Sequence, residues 1–220
     1  MASFFNVTLD TLAPAGLAVA LNNGAIYTTN PIVTLKLTMT DEETTGYQMK
    51  VWGISGVETE ADAAWETYAP EKAVTLDGEN GLKTVYVKVR DDVGNETAAV
   101  SDSITLDTTV PVVTITGPDK SKISKVNGFN QAVINFMADV AFEEYKVCVV
   151  PATTSLESAG TVIPTTGGSL NTSGSEGGYA ADTNITVTIN GADLETASAG
   201  DGVKIVKVFV KNAAGTWSVA

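Results

Sequence analysis

Val85-Tyr86-Val87-Lys88-Val89-Arg90, running directly into Asp91-Asp92-Val93-Gly94-Asn95, decides the fold of this chain. Valines at alternate positions build one apolar face, while Tyr86, Lys88 and Arg90 build the other. That period of two is the pattern of a strand buried on one side. The Asp-Asp-Val-Gly-Asn stretch that follows is a turn, because Asp and Asn bond their own backbone and Gly accepts conformations a side chain resists. The same alternation returns in Val33, Leu35, Leu37 and Met39 against Thr34, Lys36 and Thr38, and in Ile185, Val187 and Ile189 against Thr186 and Thr188. Asn22-Asn23-Gly24, Asp77-Gly78, Asn190-Gly191 and Ala214-Gly215 supply further turns. With 27 Val and 30 Thr in 220 residues, composition favours strands over helices. Short strands at this density predict an all-β chain of two tandem β-sandwiches.

The chain also repeats. Val7-Thr8-Leu9-Asp10-Thr11 returns as Ile104-Thr105-Leu106-Asp107-Thr108 at a spacing of 97. Leu35-Lys36-Leu37-Thr38-Met39 aligns with Val133-Ile134-Asn135-Phe136-Met137 at 98, and Lys50-Val51-Trp52 with Lys146-Val147-Cys148 at 96. Val85 to Arg90 and Gly94 align with Val206 to Lys211 and Gly215 at 121. The growing offset places two insertions in the second copy, at about 152–182 and at 192–199. The expected organisation is an N-terminal strand or arm at 1–10, a first domain at 11–107 and a second at 108–220.

The run from Ala64-Trp65-Glu66-Thr67-Tyr68 through Val74-Thr75-Leu76-Asp77-Gly78 and Gly81 to Val87, ending in Arg90-Asp91-Asp92-Val93-Gly94-Asn95, resembles the bacterial immunoglobulin-like repeats. Ser103 to Pro111 is similar to the junction between successive copies of such repeats. The resemblance is good over 10–110 and looser over 111–220. It implies a sandwich fold in an exposed, multi-copy setting, on bacterial surface proteins or tailed-phage particles, and it implies no reaction. By the same resemblance Trp65 stands where the family has a tryptophan.

The ends do not match the units. At an offset of 121, the counterpart of Ile104-Thr105-Leu106 falls at about 225–227, while Phe5-Asn6-Val7-Thr8-Leu9 resembles that same last strand with no domain before it. One reading is strand donation, in which residues 3–9 of one copy complete the second domain of another. The alternatives are packing of residues 3–9 on their own first domain, or docking on a different protein. Phe4, Phe5, Val7 and Leu9 are therefore interface candidates, joined by Trp217 and by the cluster Lys120, Lys122 and Lys125. Such lysines are ordinarily a solvated face. Residues 111–220 carry a net −3 and residues 1–110 a net −10. The functional reading is that the second domain faces neighbours and the acidic first domain projects outward.

Composition excludes much chemistry. Without His there is no Ser-His-Asp site and no histidine-bound zinc, and a single Cys forms neither an internal disulfide nor a Cys pair for a metal. The net charge of −13 repels nucleic-acid backbones and anionic lipid. The neighbouring acids Asp41-Glu42-Glu43, Asp91-Asp92 and Glu143-Glu144 lack the ligand spacing of a calcium loop. No catalytic residue, metal ligand or cofactor is expected. Trp52 aligns with Cys148, which makes both core positions, and only Trp217 is left for an interface. MASFFNVTLD has no basic start followed by an apolar run, and no window is long and apolar enough to span a membrane. The expected function is a structural protein of a tailed-phage virion, a head decoration or fibre or a tail-baseplate accessory. It would assemble in the host cytoplasm with copies of itself and other virion proteins. The alternative is an adhesion module that binds host-surface glycans.

Overall fold

A computed structural model describes residues 6–40, 44–151, 157–164 and 178–219. The chain divides into two units, Met1–Thr108 and Thr109–Ala220.

Unit 1 contains β1 (Ala18–Leu21), β2 (Tyr27–Thr28), β3 (Ile32–Thr38), β4 (Gln48–Trp52), β5 (Glu66–Thr67), β6 (Glu71–Thr75), β7 (Gly81–Arg90) and β8 (Val100–Leu106). One sheet has the order β1-β3-β6 and the other β2-β8-β7-β4-β5. All pairings are antiparallel except that of β2 with β8. Alternation places Val33, Leu35 and Leu37 of the first sheet and Val85, Val87 and Val89 of the second in one buried cluster. Tyr86 and Lys88 stand on the opposite face of β7, as a pleat with a period of two requires. The register pairs Val51 with Val87 and Lys83 with Ile104, so β7 is covered on both edges.

Unit 2 contains β9 (Val113–Thr116), β10 (Gln131–Ala138), β11 (Glu144–Val150), β12 (Thr161–Val162), β13 (Ile185–Asn190), α1 (Gly191–Ala197) and β14 (Ile205–Lys211). Its sheets have the orders β9-β10-β13 and β12-β11-β14. Val147 pairs with Val208, as Val51 pairs with Val87, at the two offsets of 96 and 121 read from the sequence. Trp52 and Cys148 are accordingly both buried. Phe136, Phe142 and Tyr145 fill the space between the sheets. Tyr179, from the far end of the first insertion, stacks on Phe142 at 4.8 Å. The second insertion forms α1, where Ala192, Leu194, Glu195 and Ala197 are good helix formers.

One alignment needs correction. The spacing of 98 sets the inward Leu35, Leu37 and Met39 against Val133, Asn135 and Met137, yet unit 2 buries Ile134, Phe136 and Ala138 and exposes Met137. Ile115 pairs with Phe136 as Leu21 pairs with Leu35, which is a spacing of 101. A slip of one residue turns a strand over, so odd and even offsets give opposite faces.

Candidate functional site

The two units differ most beside β14, the counterpart of β7. In unit 1, β7 lies between β4 and β8. In unit 2, β14 pairs with β11, and beyond the first contacts no strand among the described residues lies along its other edge. Those first contacts repeat unit 1 faithfully. Lys211 bridges Trp217 as Arg90 bridges Glu96, and the Ser218 N–H donates to the Val210 carbonyl at 2.8 Å, as the Thr97 N–H does to Val89. The Val210 backbone therefore faces this edge. By the alternation of an antiparallel ladder, so do Val208 and Val206.

The side chains that close this flank of unit 1 are Ile104 and Leu106, both fully buried. At the corresponding place unit 2 has a groove of about 890 Å³. Ala132, Ile134, Ile189 and Val206 supply its apolar lining, and Leu194 of α1 its end. Val85 is buried in unit 1, but its counterpart Val206 is only half-buried. The facing wall is residues 117–125, which carry Lys120, Lys122 and Lys125 along the groove. This strap is fixed at three points. The Asp119 carboxylate accepts from the Val133 N–H at 2.6 Å, the Ser124 N–H donates to the Phe129 carbonyl at 2.8 Å, and Gly191 abuts the Ser124 carbonyl. None of the three lysines is in an ion pair among the described residues, and Lys120 Nζ donates to the Gln131 carbonyl at 3.3 Å.

The candidates from the sequence fall into two groups. Lys120, Lys122 and Lys125 line one groove, which no local pattern in the sequence reveals. Val7 and Leu9 lie outside any strand and are 81% and 87% exposed, while Phe4 and Phe5 lie outside the described residues. Just beyond them the arm is anchored on unit 1. Asp10 accepts from the Leu12 N–H at 3.0 Å, Asn95 Nδ2 donates to the Asp10 carbonyl at 3.4 Å, and Pro14 is buried.

Trp217 is half-buried on its own sheet. The Lys146 ammonium lies 4.4 Å from its ring centroid and that of Lys211 5.5 Å, beside the buried patch of Cys148, Val150 and Phe209. Trp65 sits over the equivalent residues of unit 1, Arg90 at 4.4 Å and Lys50 at 5.2 Å, but arrives from a different part of the chain. Trp52 stacks on Tyr86 at 5.5 Å. All three tryptophans are thus engaged within the chain.

The acidic pairs have local roles. Asp91 is buried in the turn after β7, and Glu144 pairs with Lys211; Asp41, Glu42 and Glu43 lie outside the described residues. Among the described residues no three His, Cys, Asp or Glu side chains come together as metal ligands would. Burial pushes the Cys148 thiol pKa up, which keeps it protonated and unreactive.

No protein-family model matches the chain, and no curated relative matches it. Among solved structures it is similar to the fibronectin(III)-like modules of CbhA from Clostridium thermocellum. The identity is 13% and the TM-score 0.50, over 91% of this chain and 89% of that one. It is also similar to the FN1-FN3 domains of chicken CNTN1, at 13% identity and a TM-score of 0.39, over 94% of this chain and 64% of that one. The D00-D0 domain of intimin matches at 15% identity and a TM-score of 0.30, over 92% of this chain and 98% of that one. The likeness to the CbhA modules carries the fold: the chain is an all-β protein of the immunoglobulin-like and fibronectin III-like sandwich class, as the alternation predicts for the sandwich and the family resemblance implies for its immunoglobulin-like kind.

Proposed function

We propose that the chain is a non-enzymatic structural protein of a tailed-phage virion, a head decoration or fibre or a tail-baseplate accessory, that works by protein–protein assembly. The observation that carries the assembly reading is the groove, with an apolar floor, beside an edge of β14 along which no strand among the described residues lies. An uncovered edge with core side chains beneath it is a template for another strand, and proteins that retain one use it for pairing. The virion setting is supported by the resemblance of 10–110 to repeats that occur on phage particles, and by an acidic surface ill suited to nucleic acid. The buried thiol and the turn-bound Asp91 favour a structural role over catalysis.

The test is composition of the particle. Phage purified through a density gradient from the lysed host should contain the chain at a fixed ratio to the major capsid protein. Absence from particles, together with saturable binding of the purified chain to host cells or to a glycan array, would replace this reading with adhesion.

A further inference from the structure

We propose that the groove of unit 2 takes up residues 6–10 of a second copy of this chain as an added strand on β14. This rests on the assembly reading above and names its partner. The donor is marked by sequence. Val7-Thr8-Leu9-Asp10-Thr11 differs from Ile104-Thr105-Leu106-Asp107-Thr108 only in Val for Ile, and that segment of unit 1 fills the equivalent place beside β7. There, alternation turns Ile104 and Leu106 into the core and Thr105 outward. In residues 6–10 the same alternation gives Val7 and Leu9 to one face and Thr8 to the other.

The acceptor is preformed in the same register. In unit 1, Leu106 stands opposite Gly81, Thr105 opposite Leu82 and Ile104 opposite Lys83. At the offset of 121 these become Gly202, Val203 and Lys204, all of which line the groove. Gly81 and Gly202 share one unusual backbone conformation, with φ of 134° and 133°. Leu9 of the donor therefore faces Gly202, Thr8 faces Val203 and Val7 faces Lys204. Val7 and Leu9 then cover Ile134, Ile189 and Val206. Asp10 brings a carboxylate towards a wall that carries three lysines, and the acidic donor unit meets the less acidic acceptor.

Residues 6–10 match the strand that closes unit 1, so the partner is taken to be another copy of this chain, and the double variant below separates that from uptake within one chain. Donor and acceptor are different surfaces, so the contact is heterologous. It closes as a ring or propagates head to tail, according to the rotation between copies.

The experiment uses the full chain. Thr8→Cys in one preparation and Val203→Cys in another place thiols on outward positions that the register sets opposite each other. Mixed and mildly oxidised, they should give a dimer-sized cross-link. Thr8→Cys mixed with Val162→Cys, an exposed position on β12, should give none. Leu9→Asp changes an exposed side chain, and should weaken self-association at least tenfold in sedimentation equilibrium with unit 1 melting unchanged. The Thr8→Cys/Val203→Cys double variant should cross-link between copies and not at monomer mass. Unchanged association of Leu9→Asp, cross-linking to Val162→Cys as strong as to Val203→Cys, or cross-linking within one chain would each overturn the proposal. The virion reading fails separately. A chain present in purified particles that associates normally as Leu9→Asp refutes only the groove, and a chain absent from particles that associates through Leu9 refutes only the virion.

Discussion

The Val89 N–H donates to the Thr97 hydroxyl at 3.0 Å while the Thr97 N–H donates to the Val89 carbonyl at 2.8 Å, so a side chain completes a strand pair. Val210 and Ser218 do the same in unit 2, at 3.1 and 2.8 Å. Both hydroxyls are buried, which turns each into a register pin where the following strand begins. Thr97→Val keeps the shape but leaves the Val89 N–H buried without an acceptor, at a cost of about 1–3 kcal/mol. Chemical denaturation of unit 1 should show that loss, and Thr97→Ser should recover most of it. Ser218→Ala should destabilise unit 2 to a similar extent and leave unit 1 unchanged.

Asp91 gives the turn of unit 1 a pH dependence that unit 2 lacks. Burial disfavours its charged form, yet hydrogen bonds outweigh that: Asn95 Nδ2 and the Asn95 N–H at 2.8 Å, and the Val93 N–H at 3.0 Å, hold the carboxyl below the usual range. A folded-state pKa below the unfolded value of about 3.9 means that the contribution is complete at neutral pH. It is lost as pH falls through the lower, folded-state value. The counterpart Asn212, whose Oδ1 accepts from the Thr216 N–H at 2.8 Å, carries no charge. Denaturation at a series of pH values should show Asp91→Asn weakening unit 1 at pH 7, with the difference from the parent chain vanishing near the acid end. Asn212→Asp should not reproduce this in unit 2: Asn212 Nδ2 donates to the Thr109 carbonyl at 3.0 Å, a carboxylate there would set two oxygens against each other, and the variant should lose stability at pH 7.

How much of this was readable in the sequence depended on whether a strand has one apolar face or two. Val85, Val87 and Val89 are flanked by Tyr86, Lys88 and Arg90, so face and partner follow directly, and the offset of 121 carries them to Val206, Val208 and Val210. In β10, Val133, Ile134, Phe136 and Met137 are apolar on both faces, and alternation cannot say which one is buried. That is why the spacing of 98 turned the strand over. The helix over Gly191–Ala197 has only two turns, too short for its period to stand out. The groove was illegible for another reason. Its wall, floor and end come from 117–125, β10, β13 and α1, and only the fold brings lysines that look like a solvated face onto one apolar cleft.

The strap over that cleft depends on a glycine. A Cβ on Gly191 would collide with the Ser124 carbonyl, so α1 and the strap approach as closely as backbone allows. Gly191→Ala must push the strap outward or shift the start of α1. The expected result is a loss of about 1–3 kcal/mol in unit 2 and faster hydrogen exchange at the amides of Ser124 and Phe129. Gly200→Ala makes a useful comparison, because a Cβ there meets nothing within 4 Å and its cost is limited to the backbone strain of a φ of 85°.

Cys148 extends the same logic to chemistry. Its thiol is fully buried beside Val150 and Phe209, and Gly160 crosses so close that an added Cβ would lie 2.7 Å from Cys148 Cβ and 2.6 Å from Val150 Cγ1. Burial raises the thiol pKa above its usual value, with Lys146 opposing and Glu157 adding to the effect. A folded-state pKa above the unfolded one, about 8.5, means that this contribution is complete at neutral pH. It is lost as pH rises through the folded-state value, because the unfolded chain gains stability by ionising first. A disulfide-exchange reagent should therefore leave the native chain unmodified at pH 8 and react with one thiol per chain in denaturant. Gly160→Ala, by forcing this cover apart, should make the thiol reactive in the folded protein, at a rate that follows the opening of unit 2 and not that of unit 1.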